Sequence, residues 1–531
     1  LKKPRDPDQD TGRKTKPRGL RISFPQLSFI LPGLVFVLLS ILLFFGYPWA
    51  SFSDFGLLEL QTRIFQETGS FDLIYKYSDL DPEFSLFSIP DHFLWVSESK
   101  IRFVTFPVLA SIFAPLFFFD IGDGNLLLSL FAQAILFSLS LYLVILRFGS
   151  IFAGLIFCLG SILPIYVFVL HETILVLFLQ SLALFLLKEE EEGVGWSIFS
   201  GFLMGILPLV RPEFLFSLPL GFFLTRSKSV CIRYGLGVVL GILGIFVFNQ
   251  LYFGNLLGGR VMQNFSLNQT SDLGWEIFSR ENRAHIWILL GLLLTKIPLY
   301  AIFILERIGS GFYFLYHRLV VPNKVGTGTG LSDSPGLGWA IFLISLGILF
   351  LSPNHGGQNT PRYFFCLIPF LVYYLSRRFP GFPLSRFRIL FFPILGFAFL
   401  IPLYSSYREV LILSKTQIQV EGSIRALGDS PVVFRNPDLS YVFVKRASSS
   451  NQFLVRGERS LLVFQDILRS EDWREFHLME IGWSKDLSEQ EILKNSDTNL
   501  LAHFYKNWKL EPREVFPSGI PIQVYTFRKI P

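Results

Sequence analysis

The chain has 531 residues, of which 51% are hydrophobic and only 17% charged, with 60 Phe and a mean hydropathy of +0.48. The charge content is below that usual in soluble domains, and several apolar runs are long enough to cross a bilayer. This excludes an ordinary soluble protein and describes a polytopic α-helical membrane protein. The net charge of +6 comes from basic residues in the N-terminal tail and short loops, where positive-inside bias puts them, so no nucleic-acid partner is expected.

Residues 1–26 carry Lys2, Lys3, Arg5, Arg13, Lys14, Lys16, Arg18 and Arg21 among Pro, Asp and Gly. The composition predicts a disordered basic tail on the cytoplasmic side. Leu27–Tyr47 is the first span; it is too long for a signal-peptide core and lacks a small-residue cleavage site. Residues 27–407 then form a transmembrane domain whose first extracytoplasmic loop, 48–102, is the longest. Within that loop Asp54–Gly69 reads as an amphipathic helix. Leu57, Leu60 and Ile64 share one face and Glu59, Arg63, Gln66 and Glu67 lie elsewhere, so the helix is expected along the membrane surface.

Further spans are expected at Phe103–Phe119, Leu126–Leu146, Ile151–Leu170, Thr173–Leu187, Trp196–Val210, Phe214–Leu224, Tyr234–Leu251, Ile286–Leu305, Leu337–Leu351, Tyr363–Ser376 and Ile389–Tyr404. That makes about twelve. The basic tail puts the 48–102 loop outside. Counting back from Arg377, Arg378, Arg386 and Arg388 puts it inside. One segment between Phe103 and Leu224 is therefore miscounted, and the number of spans is odd, eleven or thirteen. Residues 408–531 lack a long apolar run and read as a small extracytoplasmic α/β domain. Its β-like runs are Pro431–Phe434, Tyr441–Val444, Ser460–Phe464 and Ile522–Phe527, with helices expected between Asp466 and Lys509. Cys158, Cys231 and Cys366 lie in or beside spans, so no disulfide framework is expected.

Chemistry-bearing residues are few, and no metal or nucleophile signature appears. Asp54 stands just past the first span, where it is either the cap of the following helix or a base that takes a proton from an acceptor hydroxyl. Arg211-Pro212-Glu213 is either a helix junction, with Pro opening the next helix and Glu213 in its positive first turn, or a polar cavity marked by an intramembrane Arg. His355–Tyr363 bares backbone amides at its glycines and supplies Arg362 and Tyr363 at a helix start. That combination suits an anionic head group, or else an ordinary turn with a snorkelling Arg. His171-Glu172 and Asp91-His92 are further candidates, each with a structural alternative. Gly254–Gly259 is glycine-rich but follows a span rather than a strand, a weak phosphate signal.

In order and kind these parts resemble the GT-C superfamily of integral-membrane glycosyltransferases, of the type dependent on polyprenyl-phosphate sugars. Asp54–Gln61 through Gly69-Ser70-Phe71 is similar to that family's Asp, amphipathic helix and Gly-x-Phe exit. Gly201–Gly205 through Arg211-Pro212-Glu213, Leu251–Asn255, and Pro361–Phe364 with Pro369-Phe370 resemble its later segments, and Glu172 falls where many members are acidic. Phe55 stands where many members have a second acidic residue. Arg102–Val108 has a single Pro where His/Tyr-Pro-Pro-Leu is common.

The resemblance implies an inverting transfer of a hexose or pentose from a polyprenyl-phosphate donor to an envelope glycan, lipid or protein acceptor, in a bacterial inner membrane. Asp54 would be the base. Arg211 and Arg362 would hold the phosphate, and Glu213, Tyr363, Glu172 and His92 would line the substrate site. No cofactor is implied with certainty, and a divalent cation stays open. A lipid-linked-sugar flippase or transporter, a glycan ligase or polymerase, and a noncatalytic scaffold are the competing readings.

Overall fold

The computed structural model describes residues 24–52, 54–87, 93–97, 99–104, 107–117, 126–187, 194–225, 227–259, 280–320, 335–351, 361–378, 388–434, 451–455, 457–481, 508–510, 514–516 and 522–530, with Asp54 described by its backbone alone. The tail 1–23, His92, the turn 352–360 and the run Tyr441–Val444 lie outside these residues.

The protein is an integral membrane protein. Among the described residues, four helical segments are long and apolar enough to cross a bilayer: Ser28–Gly46, Leu126–Phe148, Lys228–Phe253 and Gly396–Gly422. Ile286–Lys296 and Pro298–Ser310, bent by 99° at Ile297, make a fifth if counted as one broken span. Shorter apolar segments fill the bundle at Thr173–Leu186, Gly195–Val210, Pro212–Leu224 and Gly336–Leu351. Lipid-facing side chains are large and bare, among them Phe29, Leu34, Phe44, Phe45, Ile232, Val247 and Leu251.

The bundle elements, in chain order, are α1 (Phe24–Gly46), α3 (Val108–Phe117), α4 (Leu126–Phe148), α5 (Ile151–Leu159), α6 (Thr173–Leu186), α7 (Val194–Val210), α8 (Lys228–Phe253), α9 (Arg280–Lys296), α10 (Pro298–Val320), α11 (Pro335–Leu351), α12 (Ile368–Arg378) and α13 (Arg388–Ala426). Between α1 and α3 comes α2 (Asp54–Thr68), in the first loop. Three bundle stretches are 3-10 rather than α: Leu163–Phe168, Pro212–Leu224 and Arg362–Leu367. Pro164, Pro212 with Pro219, and Pro361 explain them, since each proline removes a donor the α ladder needs. At about 2.0 Å per residue, the 13 residues of Pro212–Leu224 reach roughly 26 Å, further than an α-helix of equal length. The break after α5 and the break between α9 and α10 serve each other: Leu299 N donates to Gly160 O (3.1 Å) and Ile162 N to Lys296 O (3.2 Å).

The helix expected at Phe103–Phe119 starts later than expected, and residues 118–119 lie outside the described residues. Phe103 ends a strand, and α3 has ten residues, about 15 Å at 1.5 Å each, and packs on α2.

The helix over the first loop forms as expected, Asp54–Thr68, but not as a surface helix with one apolar stripe. Phe55 and Leu58 join the core of the bundle. Leu57, Leu60 and Ile64 join a second core above it. Glu59, Gln61 and Thr62 are buried between, with Glu59 paired to Arg63 at 2.9 Å. Thus α2 is a wedge rather than a raft.

That second core unites the two expected soluble parts. The first loop carries a three-stranded antiparallel sheet in the order β1 (Asp72–Ile74), β3 (Lys100–Phe103), β2 (Phe93–Ser97). Asp81 organises the turn below it, accepting from Tyr75 Oη, Ser85 N and Oγ, and Leu86 N. The chain end carries a six-stranded sheet in the order β5-β4-β6-β9-β7, with β8 on β9. Here β4 is Val432–Phe434, β5 Gln452–Leu454, β6 Glu475–Ile481, β7 Trp508–Leu510, β8 Glu514–Phe516 and β9 Ile522–Lys529. The strands β5, β4 and β6 are parallel, while β9 runs against β6.

Side chains alternate between two buried faces. Val432, Phe434, Leu454, Met479 and Val524 face the end of α13 at Val420 and Ile424. Val433, Phe453, Phe476, Leu478, Tyr525 and Phe527 face α14 (Glu458–Ser470) and the first loop's Leu73, Tyr75, Tyr77, Phe84, Leu86 and Phe87. Burial on both faces is why Val432-Val433-Phe434 is apolar without a break. Leu454 N donates to Leu86 O (2.8 Å), and Lys76 pairs with Glu471 (2.9 Å). First loop and chain end therefore make one body, the head.

Ser460–Phe464 is a correction: it is helical, within α14, where Leu461, Phe464, Ile467 and Leu468 recur at helical spacing and are buried. The helix α13 continues without a break from the bundle into the head, past the expected boundary at 407/408.

Candidate functional site

At the head end of the bundle, three chain reversals meet. The first follows Leu163–Phe168, where the chain turns into α6 through His171 and Glu172. Glu172 occupies the N-cap position of α6 without capping it through its side chain. His171 does that work instead: its Nδ1 lies 3.1 Å from Thr173 N and 2.7 Å from Thr173 Oγ1. The second reversal is Val210-Arg211-Pro212, with Arg211 the N-cap residue, Pro212 opening the 3-10 segment and Glu213 in its first turn. The third is Pro361-Arg362-Tyr363, whose 3-10 segment packs on Pro212–Leu224.

The first two reversals are joined by charge. Arg211 Nη1 donates to Glu172 Oε1 at 3.0 Å, and Arg211 Nε pairs with Glu213 Oε1 at 2.9 Å. Arg211, Glu172, Glu213 and His171 are all buried, and His171 Nε2 stands 3.8 Å from Glu172 Oε2. Burying a carboxylate or a guanidinium alone costs several kcal/mol, and here each is offset by contact with a group of opposite charge. Two carboxylates thus flank one guanidinium, which directs its charge inward. The sequence reading that gave Arg211 to an outside phosphate meets this geometry: two of its donors are occupied within the cluster.

Tyr363 lies within electrostatic reach of Glu213 and Arg211, and the Arg362 guanidinium is 6.0 Å from the Tyr363 ring. Both residues are half-buried. Tyr166, edge-on to His171 at 5.4 Å and to Phe365 at 5.1 Å, lines the space between the first and third reversals.

The N-terminus of α2 closes the group. Asp54 is its first residue, and the neighbouring Phe55 ring meets His171 edge-on at 5.2 Å. Of the sequence candidates, the structure gathers Glu172, Arg211, Glu213, Arg362 and Tyr363, with the backbone of Asp54 one residue from the contact; His92 lies outside the described residues. Among the described residues no group of three His, Cys, Asp or Glu side chains is arranged to hold a metal ion. Gly254 takes a left-handed conformation (φ 68°) and ends α8, with Asn255 Oδ1 accepting from Leu257 N, so the start of the glycine-rich run is a helix stop.

Sequence reasoning missed how these reversals are held at fixed height. Gly201 and Gly205 on α7 face Gly237 and Gly241 on α8 at backbone contact. An added Cβ at Gly237 would stand 2.0 Å from Ile198 O, and one at Gly201 2.1 Å from Tyr234 O. The signal was present as two small-xxx-small spacings.

No protein-family model and no curated protein matches the chain. Among solved structures, the archaeal oligosaccharyltransferase AglB from Archaeoglobus fulgidus, in complex with an inhibitory peptide and a dolichol-phosphate, is similar with a TM-score of 0.48 and 11% identity. The match covers 84% of this chain and 69% of that one. The oligosaccharyltransferase of Archaeoglobus fulgidus in its apo form is similar with a TM-score of 0.44 and 13% identity, over 86% of this chain and 69% of that one.

Proposed function

We propose that the chain is a membrane glycosyltransferase. It moves a sugar from a polyprenyl-phosphate donor to a glycan, lipid or protein acceptor at the head side of the bilayer. The observation that carries this reading is the meeting, at one end of the bundle, of the first turn of α2 with the Glu172–Arg211–Glu213 cluster and the Arg362-Tyr363 turn. An acidic residue, a basic residue and a rigid polar floor are what a sugar–phosphate displacement at a membrane surface needs.

In this mechanism Asp54 takes the proton of the acceptor hydroxyl as its oxygen attacks the anomeric carbon. The bond from that carbon to the phosphate oxygen breaks on the opposite face, which inverts the centre. Charge grows on the departing lipid phosphate, and Arg362 stabilises it. Arg211 keeps Glu172 and Glu213 in position rather than serving the phosphate directly. Glu172, Glu213 and Tyr363 bound the sugar's side of the space.

We also assign eleven passes, with the N-terminus in the cytoplasm and the head outside. Support comes from α3, whose described residues span ten positions: setting it aside from the twelve candidates leaves an odd number, as the two charge counts together require.

The test is transfer from a polyprenyl-phosphate sugar by purified protein and by Asp54→Asn. Loss of turnover with retained donor binding is expected. Full activity in the variant removes Asp54 as base. Movement of unaltered lipid-linked sugar across sealed vesicles by a protein inactive in transfer replaces the enzyme with a transporter.

A further inference from the structure

One contact outside the candidate site joins the head to the bundle through a single side chain. Arg102 lies on β3 directly across from Asp72 on β1. Its Nε donates to Asp72 Oδ1 at 2.6 Å and its Nη2 to Asp72 Oδ2 at 2.9 Å, a two-point fork. The remaining arm, Nη1, donates to the main-chain oxygen of Tyr252, in the last turn of α8. Its Cζ lies over the Tyr252 ring, 4.4 Å from the centroid.

This environment uses every recognition property of an arginine. The fork fits a carboxylate, the third arm meets a helix-end carbonyl with no partner in its own helix, the charge complements the negative end of the α8 dipole, and the flat face stacks. Lysine supplies only the charge.

The place of the contact gives it consequence. Tyr252 lies in the last turn of α8, α8 is fixed to α7 by the facing glycines, and α7 runs to Val210, next to Arg211. On the other flank, the α2 start meets His171 through Phe55. Arg102 is thus a second anchor of the head, carried through rigid backbone to the cluster where the first is seated.

We propose that Arg102 is a positioning residue that sets the pose of the head over the bundle. It deepens the glycosyl-transfer reading, on which only the activity arm of its test rests. The first arm is a distance. Spin labels at Leu462→Cys on α14 and Leu243→Cys on α8, both exposed positions, in a Cys231→Ser background, report the head against the bundle. The parent protein is expected to give one narrow distribution, and Arg102→Gln a broadened or displaced one in protein that is monodisperse and melts as a single transition. Arg102→Lys is expected to behave as Arg102→Gln. An unchanged distribution in Arg102→Gln, or full restoration by Lys, overturns the proposal. Should Arg102→Gln not fold, Asp72→Asn, which loosens the fork and keeps the arm to Tyr252, is read by the same criterion.

The second arm is kinetic. A displaced head lowers kcat by about tenfold to a hundredfold, the scale of an ångström-level misplacement, while the KM for donor lipid held within the bundle changes little. A variant with altered distances and parental kcat overturns the positioning role. A parent protein with the expected distances and no transfer activity removes the glycosyl-transfer reading and leaves the anchor standing.

Discussion

The facing glycines of α7 and α8 allow a quantitative prediction. In Gly237→Ala the new methyl group would lie 2.0 Å from Ile198 O and 2.8 Å from Phe202 N, both on the α7 backbone. A carbon rests against a carbonyl oxygen at about 3.3 Å, so the helices must part by about 1.3 Å or bend. No flexible side chain can yield, because both obstructing atoms are main chain. Overpacking of this kind costs about 1–3 kcal/mol. Parting the helices also loosens Gly201 from Tyr234 O and Gly205 from Val238 O.

The same helix holds its own control: a methyl group added at Gly244 would meet nothing within 4 Å, and Gly244→Ala gains up to about 1 kcal/mol of helix propensity. The propensity gain is common to both alanines, seven residues apart, so Gly237→Ala is expected to be less stable than Gly244→Ala by the overpacking cost alone, about 1–3 kcal/mol. Reversible unfolding in mixed micelles, followed by tryptophan fluorescence, measures the gap. Equal midpoints, or a Gly237→Ala protein more stable than Gly244→Ala, refute the reasoning.

Two other expectations rest on charge. Arg211→Met leaves Glu172 and Glu213 buried without their common partner and is expected to cost about 3–5 kcal/mol; adding Glu172→Gln and Glu213→Gln is expected to recover most of it. An Arg211→Met protein that unfolds at the parental midpoint sinks that account. In the head, Ser430 Oγ donating to Glu475 (2.8 Å), with Arg528 and His477 beside it, holds the Glu475 carboxyl below its ordinary value of 4.5. A carboxyl lowered by folding adds stability that is complete above that ordinary value and fades as pH falls through the folded one. The stability gap between parent and Glu475→Gln is therefore expected to close on acidification from about pH 6 to about pH 3, and a constant gap counts against the pairing.

Much of the fold was legible because some signals are local. Arg211-Pro212-Glu213 states a helix junction in three residues, and the structure has one there. The bounds of α2 follow from a helical apolar period ended by Gly69 in a left-handed conformation. What could not be read is what depends on distant partners. Glu59 looks solvent-facing until two separate cores close over α2. Leu461–Phe464 is too short to tell helix from strand; Ile467 and Leu468 decide it. The expected start at Phe103 is wrong because that residue belongs to a sheet, which hydropathy does not see. In the candidate site, each reversal was visible, whereas the bond between Glu172 and Arg211 joins residues from different reversals.

The head has a consequence for how the chain is made. Its core takes Leu57–Phe103 from near the beginning and Val433–Phe527 from the end. Roughly three hundred residues must be made between the arrival of the two halves, a wait of about a quarter of a minute to a minute at 5–20 residues per second. During that time Tyr77, Phe84 and Leu86 lack the sheet face around Phe453 that completes their core. A ribosome-stalled intermediate that stops before Val433 should therefore present a sticky, protease-sensitive first loop, and synthesis past Phe527 should seal it.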